Sequence, residues 1–321
     1  LSFFFIKKQL KKKNNKIFSI KTLFGFFLII LIFNLVSLKS IGSNQIKHSN
    51  PLVKAVVSKI KPWESVKDKN GENCMDRLNN FCIISKAKEK RAVILIGDSV
   101  LNSLAPELIK QLEKKKFKIV IINNAGGCAF LYNHFKQYNQ RCSMQFQKNR
   151  FNEILKYEDS NSIIILGGSS LYFENVINED FNMITDSYKK MIETVLEKNF
   201  RVIHLYPAPV FKKDPRQILY KLILDKKNDF KKLLEQKKFL HKESFNNYSL
   251  SNKEYIDIIS SINHKNFLIL KTHEFFCNNQ IKNYCVSHDP KNLFFWDKKH
   301  PAKFGAALIT SEIFNIIEKS E

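Results

Sequence analysis

Short β-rich apolar runs that alternate with longer amphipathic stretches limit this chain to very few folds. The runs cover residues 91–96, 118–122, 162–166, 201–206 and 266–270. Between them lie helix-type patterns near 100–115, 146–156, 181–199, 215–240 and 252–263, the last introduced by a capping box, Ser251-x-x-Glu254. A closing helix is expected over 302–319. Strand, helix, strand repeated in this way is the signature of a parallel sheet covered by helices on both faces. The expectation is therefore a three-layer α/β/α domain with a five-stranded parallel sheet. About 250 residues suffice for one such core, and composition marks no second boundary within them.

Open parallel sheets bind ligands outside the carboxyl ends of their strands. The first run ends at Gly97-Asp98-Ser99, the second runs into Asn123-Asn124-Ala125-Gly126-Gly127, and the third into Gly167-Gly168-Ser169. All three loops open on one rim. About two hundred residues after Ser99, just before the last helix, stands Asp297-Lys298-Lys299-His300. A serine hydroxyl is a weak nucleophile at neutral pH and needs a base within hydrogen-bond reach; an imidazole serves as that base when a carboxylate fixes its tautomer. Ser99, His300 and Asp297 supply the three parts. Singly each has a plainer reading: Ser99 as a helix N-cap, His300 and Pro301 as the start of the last helix, the glycines as turn formers. Asp98 is read as structural, holding its turn. Their conjunction at the expected places favours chemistry. No G-x-S-x-G elbow, phosphate-binding glycine loop or H-E-x-x-H occurs, which disfavours α/β-hydrolase, nucleotide-binding and zincin readings.

With these two motifs the chain resembles the SGNH (GDSL-like) hydrolase superfamily over roughly residues 74–319. It looks most like the extracytoplasmic SGNH domains attached to membrane acyltransferases of the acyltransferase-3 type, which modify bacterial surface glycans. The resemblance implies a flavodoxin-like fold, Ser99 as nucleophile, and Asp297 and His300 completing the triad. It implies an oxyanion hole from the Ser99 amide, a glycine amide after the second strand, for which Gly127 is preferred over Gly126, and a side chain after the third strand. Where the family often has asparagine there, this chain has Ser169. Neither cofactor nor metal is implied. The implied partners are an envelope glycan as acceptor and a multispan membrane acyltransferase as acyl donor, in the same polypeptide or a separate one. The expected function is O-acyl transfer, acetyl first among the acyl groups. A carbohydrate esterase with the same triad and a non-catalytic binding module are the alternatives.

The N-terminus supports such a location. Residues 22–38 are almost wholly apolar and read as a transmembrane helix, preceded by seven lysines and no acid, so residues 1–21 are expected to be cytoplasmic. A cleaved signal peptide is the rival reading. The chain starts at Leu1 with an apolar LSFFFI, which looks like the tail of a preceding span, so a longer multispan protein is expected. Residues 39–73 read as an extracytoplasmic linker and 74–321 as the catalytic domain, periplasmic or otherwise outside the membrane. Six cysteines fall as near neighbours: Cys74 with Cys82, Cys128 with Cys142, and Cys277 with Cys285. Outside the cytoplasm three local disulfides are the natural reading, with other pairings open and zinc at His273, Cys277, Cys285 and His288 as a rival of poor ligand spacing. The formal charge is +23; the first 42 residues carry eight of the 53 basic side chains and none of the 30 acids, which leaves 45 − 30, or +15, on the rest. A lysine-rich solvated surface accounts for this, and the location argues against nucleic acid; if the charge has a partner, anionic lipid headgroups of the bilayer or acidic glycans fit better.

Overall fold

The computed structural model of the chain describes residues 66–68, 70–74, 81–84, 91–113, 115, 117–122, 130–131, 143–158, 161–168, 178–216, 241–289 and 292–319. These belong to the unit Lys59–Glu321. Among them no helix is long and apolar enough to cross a membrane; the expected span at 22–38 lies outside the described residues, as does nearly all of the helix expected over 215–240.

The strands are β1 (Cys82–Ile83), β2 (Ala92–Gly97), β3 (Lys118–Ile121), β4 (Ile163–Gly167), β5 (Arg201–Leu205), β6 (Lys242–Ser244), β7 (Phe267–Leu270) and β8 (Tyr284–Val286). The helices are α1 (Ser99–Leu112), α2 (Met144–Leu155), α3 (Asn178–Glu197), α4 (Phe245–Ser260) and α5 (Lys303–Lys319). The main sheet has the order β1-β3-β2-β4-β5-β7. Its five long strands are parallel, as the alternating pattern requires. Among the described residues the sheet nevertheless has six strands, because β1 adds antiparallel to β3 at the edge, Cys82 opposite Ile121. Two residues are too few to show any periodicity. What holds them is the disulfide Cys74–Cys82 and the pairing itself. Just before Cys74, Lys67 bridges Asn73 around a turn whose amides are held by the Asp68 carboxylate. A separate antiparallel pair, β6 with β8, is braced by the disulfide Cys277–Cys285.

Side chains of β2 alternate between two cores. Val93 and Leu95 face the layer built by α1 and α5, with Leu101, Leu108, Ile309 and Ile313. Ile94 and Ile96 face α2, α3 and α4, with Ile154, Ile192 and Ile259. A strand buried on both sides in this way must be apolar throughout, and residues 92–96 are fully buried. His204 on β5 is the polar exception. Its Nε2 lies 3.0 Å from Tyr188 Oη and 2.9 Å from Tyr255 Oη, and burial pulls its pKa from 6.5 to about 3.

The capping box misplaces α4. The helix starts six residues before Ser251, at Phe245, and Ser251 sits inside it with its hydroxyl donated back to Asn247 O (2.8 Å). Tertiary burial overrides the local signal: Tyr248 packs inward and donates to Pro207 O (2.9 Å), so the first turns are held by the core.

Helix α5 docks so closely that a Cβ on Gly305 would lie 2.1 Å from Phe294 O. Helix propensity alone would make Gly305→Ala stabilising by about 1 kcal/mol. We expect the opposite sign, a loss of about 3 kcal/mol from overpacking, read by urea unfolding. Stability also falls as pH drops from 6.5 towards 3, because the unfolded chain protonates His204 while the native chain keeps it neutral. His204→Gln, which keeps hydrogen-bonding capacity without titrating, should be less stable at pH 7 and show a shallower acid slope in the same assay.

Candidate active site

The turn that carries Ser99 is made where β2 meets β4. Gly97 pairs with Gly167 in register, and a Cβ on Gly97 would stand 2.2 Å from Gly167 O. No residue but glycine fits such an approach. The chain then leaves the sheet through Asp98, extended at φ −112°, whose Oδ1 accepts the Val100 amide (2.8 Å) and so N-caps α1. Asp98 is buried, and its carboxyl lies against Gly168, which has φ +154° and where a Cβ would come within 2.8 Å of it. Gly97 and Gly167 thus let two strand ends approach, and Gly168 leaves space for the Asp98 carboxyl. Ser99 follows as the first residue of α1, at a helix end whose leading N–H groups have no partner within the helix.

The Asp297–His300 segment is a tight loop, and aromatic packing fixes it. Trp296 N donates to His300 O (2.8 Å), and Phe295 bridges Pro301, closing the loop on itself. Phe295 is fully buried edge-on to Phe211 (4.9 Å) and Phe276 (4.7 Å), and Phe211 N donates to Lys298 O (2.7 Å). Inside the loop Asp297 Oδ1 accepts the amides of Lys299 (3.0 Å) and His300 (2.9 Å).

These two segments, about two hundred residues apart in sequence, meet. His300 Nε2 lies 2.8 Å from Ser99 Oγ, while His300 Nδ1 lies 2.9 Å and 2.8 Å from the two oxygens of Asp297. Burial by itself pushes the Asp297 carboxyl up, but hydrogen bonds from the imidazole and from the two backbone amides outweigh it and hold the pKa at about 2. An ionised carboxylate can only accept. The proton of a neutral His300 therefore sits on Nδ1, which leaves the Nε2 lone pair facing the serine hydroxyl. The arrangement can draw the proton from Ser99 as its oxygen attacks a carbonyl carbon.

Of the predicted oxyanion donors, the Ser99 amide lies at this N-terminus. Gly127 and Ser169 lie outside the described residues, as do Gly126, Cys128 and Cys142. Cys277 and Cys285 are bonded to each other, so the zinc alternative at His273 and His288 loses both its thiolates. Among the described residues no group of three or more His, Cys, Asp or Glu could hold a metal ion.

Sequence reasoning missed one residue next to the site. Arg150 of α2 is completely buried, and its Nη2 donates to Gly97 O (3.0 Å), directly before the nucleophile turn. A signal existed: Arg150 falls midway in the i, i+4, i+8 series Phe146, Arg150, Ile154, the apolar face of that helix.

A model of the SGNH domain (fused to AT3 domains) matches residues 67–314. The chain belongs to that family. Among solved structures, this SGNH chain is similar to the periplasmic domain of the lipopolysaccharide acetyltransferase of Salmonella ser. Paratyphi A. The TM-score is 0.52 at 17% identity, over 77% of this chain and 92% of that one. A GDSL-like lipase from Bacteroides thetaiotaomicron is a looser likeness, with TM-score 0.39 at 13% identity over 72% and 90% of the two chains. A search of the curated proteins finds no match. The shared fold is that of the SGNH domain, with a six-stranded sheet among the described residues of this member.

Asp297→Asn presents an amide to Nδ1 and favours the wrong tautomer, so esterase turnover should fall about 10⁴-fold. The native Asp297 pKa lies below its ordinary 3.8, so the stability it contributes is present above that value and lost as pH falls towards 2. The gap in unfolding free energy between wild type and Asp297→Asn should accordingly be widest above pH 5 and narrow below pH 4, as measured by urea titration at each pH.

Proposed function

We propose that this SGNH chain transfers a short acyl group, acetyl first among them, to a hydroxyl of a cell-envelope glycan through an acyl-Ser99 intermediate. The observation that carries the reading is the unbroken series Asp297, His300, Ser99 at 2.8–2.9 Å. In it, Ser99 Oγ attacks the carbonyl carbon of a donor ester as His300 Nε2 takes the hydroxyl proton. The tetrahedral oxyanion is met by the Ser99 amide, with Gly127 and Ser169 as the further donors. Collapse breaks the donor's acyl–oxygen bond, and the leaving oxygen receives the proton from His300. A glycan hydroxyl then repeats the sequence in reverse, losing its proton to His300 and releasing Ser99. Asp297 stays ionised throughout and stabilises the imidazolium.

Two findings support the acceptor and donor. The family is described as fused to AT3 domains, which suits a membrane acyltransferase as source of the acyl group, within one polypeptide or as a separate protein. The Salmonella domain is periplasmic and belongs to a lipopolysaccharide acetyltransferase, which suits an extracytoplasmic glycan. The apolar stretch 22–38 would then hold the domain at the membrane.

The test is intact-mass analysis of the full chain with p-nitrophenyl acetate, beside Ser99→Ala and His300→Ala. An increase of one acetyl on Ser99, absent from both variants and discharged faster by added envelope glycan than by water, is the expected result. Discharge indifferent to glycan would make the protein an esterase. A folded wild type that forms no adduct and turns nothing over would make it a binding module.

A further inference from the structure

Arg150 stands out once every buried charge outside the triad is considered. A guanidinium is costly to remove from water, and its placement at zero exposure calls for a use. Its guanidinium carbon lies 5.1 Å from the centre of the Phe130 ring and 5.2 Å from that of the Phe146 ring. From there Nη2 donates to the carbonyl of Gly97 at 3.0 Å, and Nη1 lies 3.5 Å from Gln147 Oε1. The same Gln147 oxygen accepts the amide of Leu131 at 3.3 Å. One turn of α2 therefore grips two segments at once. Gly97 lies two residues before Ser99, and Leu131 lies four residues beyond Gly127, at the downstream end of the glycine loop.

We infer that Arg150 is a positioning residue for the oxyanion hole. Through its bond to the Gly97 carbonyl it holds the turn that carries the Ser99 amide. It touches no reacting atom. Rotating the Gly97 peptide would swing the Ser99 amide off the oxyanion, and a misaligned donor costs transition-state stabilisation while leaving ester binding intact. Lysine keeps the charge but has no planar guanidinium to present to Phe130 and Phe146 and cannot donate in a fork. The inference rests on the proposed acyl-Ser99 chemistry.

The test is steady-state hydrolysis of p-nitrophenyl acetate by the full chain carrying Arg150→Met or Arg150→Lys, with Ser99 acylation followed by intact mass and folding by circular dichroism. Arg150→Met should lower kcat about 100-fold with KM within about twofold, the signature of a lost interaction made only in the transition state. Arg150→Lys should recover part of that, to about tenfold below wild type. A folded Arg150→Met with wild-type kcat, or one whose loss lies in KM, overturns the inference and leaves the triad reading standing. Should the methionine variant fail to fold, a folded Arg150→Lys with wild-type kcat overturns it equally. If wild type itself is never acylated at Ser99, the proposed chemistry fails and the positioning role fails with it.

Discussion

The contact between the ends of β2 and β4 governs the site. Gly97 and Gly167 pair with no space for a side chain on Gly97, and the Gly97 carbonyl is held by Nη2 of Arg150. Everything downstream inherits that placement. Asp98 can cap α1 only because the chain has already turned, Gly168 must lack a side chain to receive the Asp98 carboxyl, and Ser99 arrives at the helix N-terminus as a result. The position also coincides with the switch point of the sheet. From β2 the chain passes to β3 on one side and then to β4 on the other, which opens the crevice where parallel sheets take their ligands.

The histidine arrives by a different route. No regular element carries Asp297 or His300; their loop is fixed by what lies beneath it. The disulfide Cys277–Cys285 tethers the strand pair β6–β8, Val286 N donates to Phe276 O, and Phe276 packs on both Phe294 and Phe295. On the other side Gly305 lets α5 press against Phe294. A loop built on buried rings loses little entropy when it meets the serine, because its geometry is already determined. The bond from Asp297 to His300 then needs no adjustment, and the hydrogen bonds to the carboxylate hold its pKa below the ordinary value.

Motifs and layers were readable for physical reasons, and so were the failures. The five parallel strands showed because fully buried strands must be apolar over their whole length. The edge strand β1 did not, since two residues held by a disulfide and a neighbour carry no pattern of their own. Ser251-x-x-Glu254 is a sound local start signal, yet the buried Tyr248 binds the preceding turns to Pro207 and the helix begins where packing begins. Arg150 looked like one more of 53 basic side chains; only its place on an apolar helix face set it apart.

By itself the sequence carried the alternation of strands and helices, the residue types at Ser99, Asp297 and His300, and the nearest-neighbour preference that joins Cys74 to Cys82 and Cys277 to Cys285. Each of these depends on residue type and spacing along the chain. Only the tertiary structure decided that His300 stands 2.8 Å from Ser99, that two glycines exist to bring strand ends together, and that a buried guanidinium backs the nucleophile turn. Those are distances between segments far apart in the chain. They are fixed by how the layers pack, which no local pattern encodes.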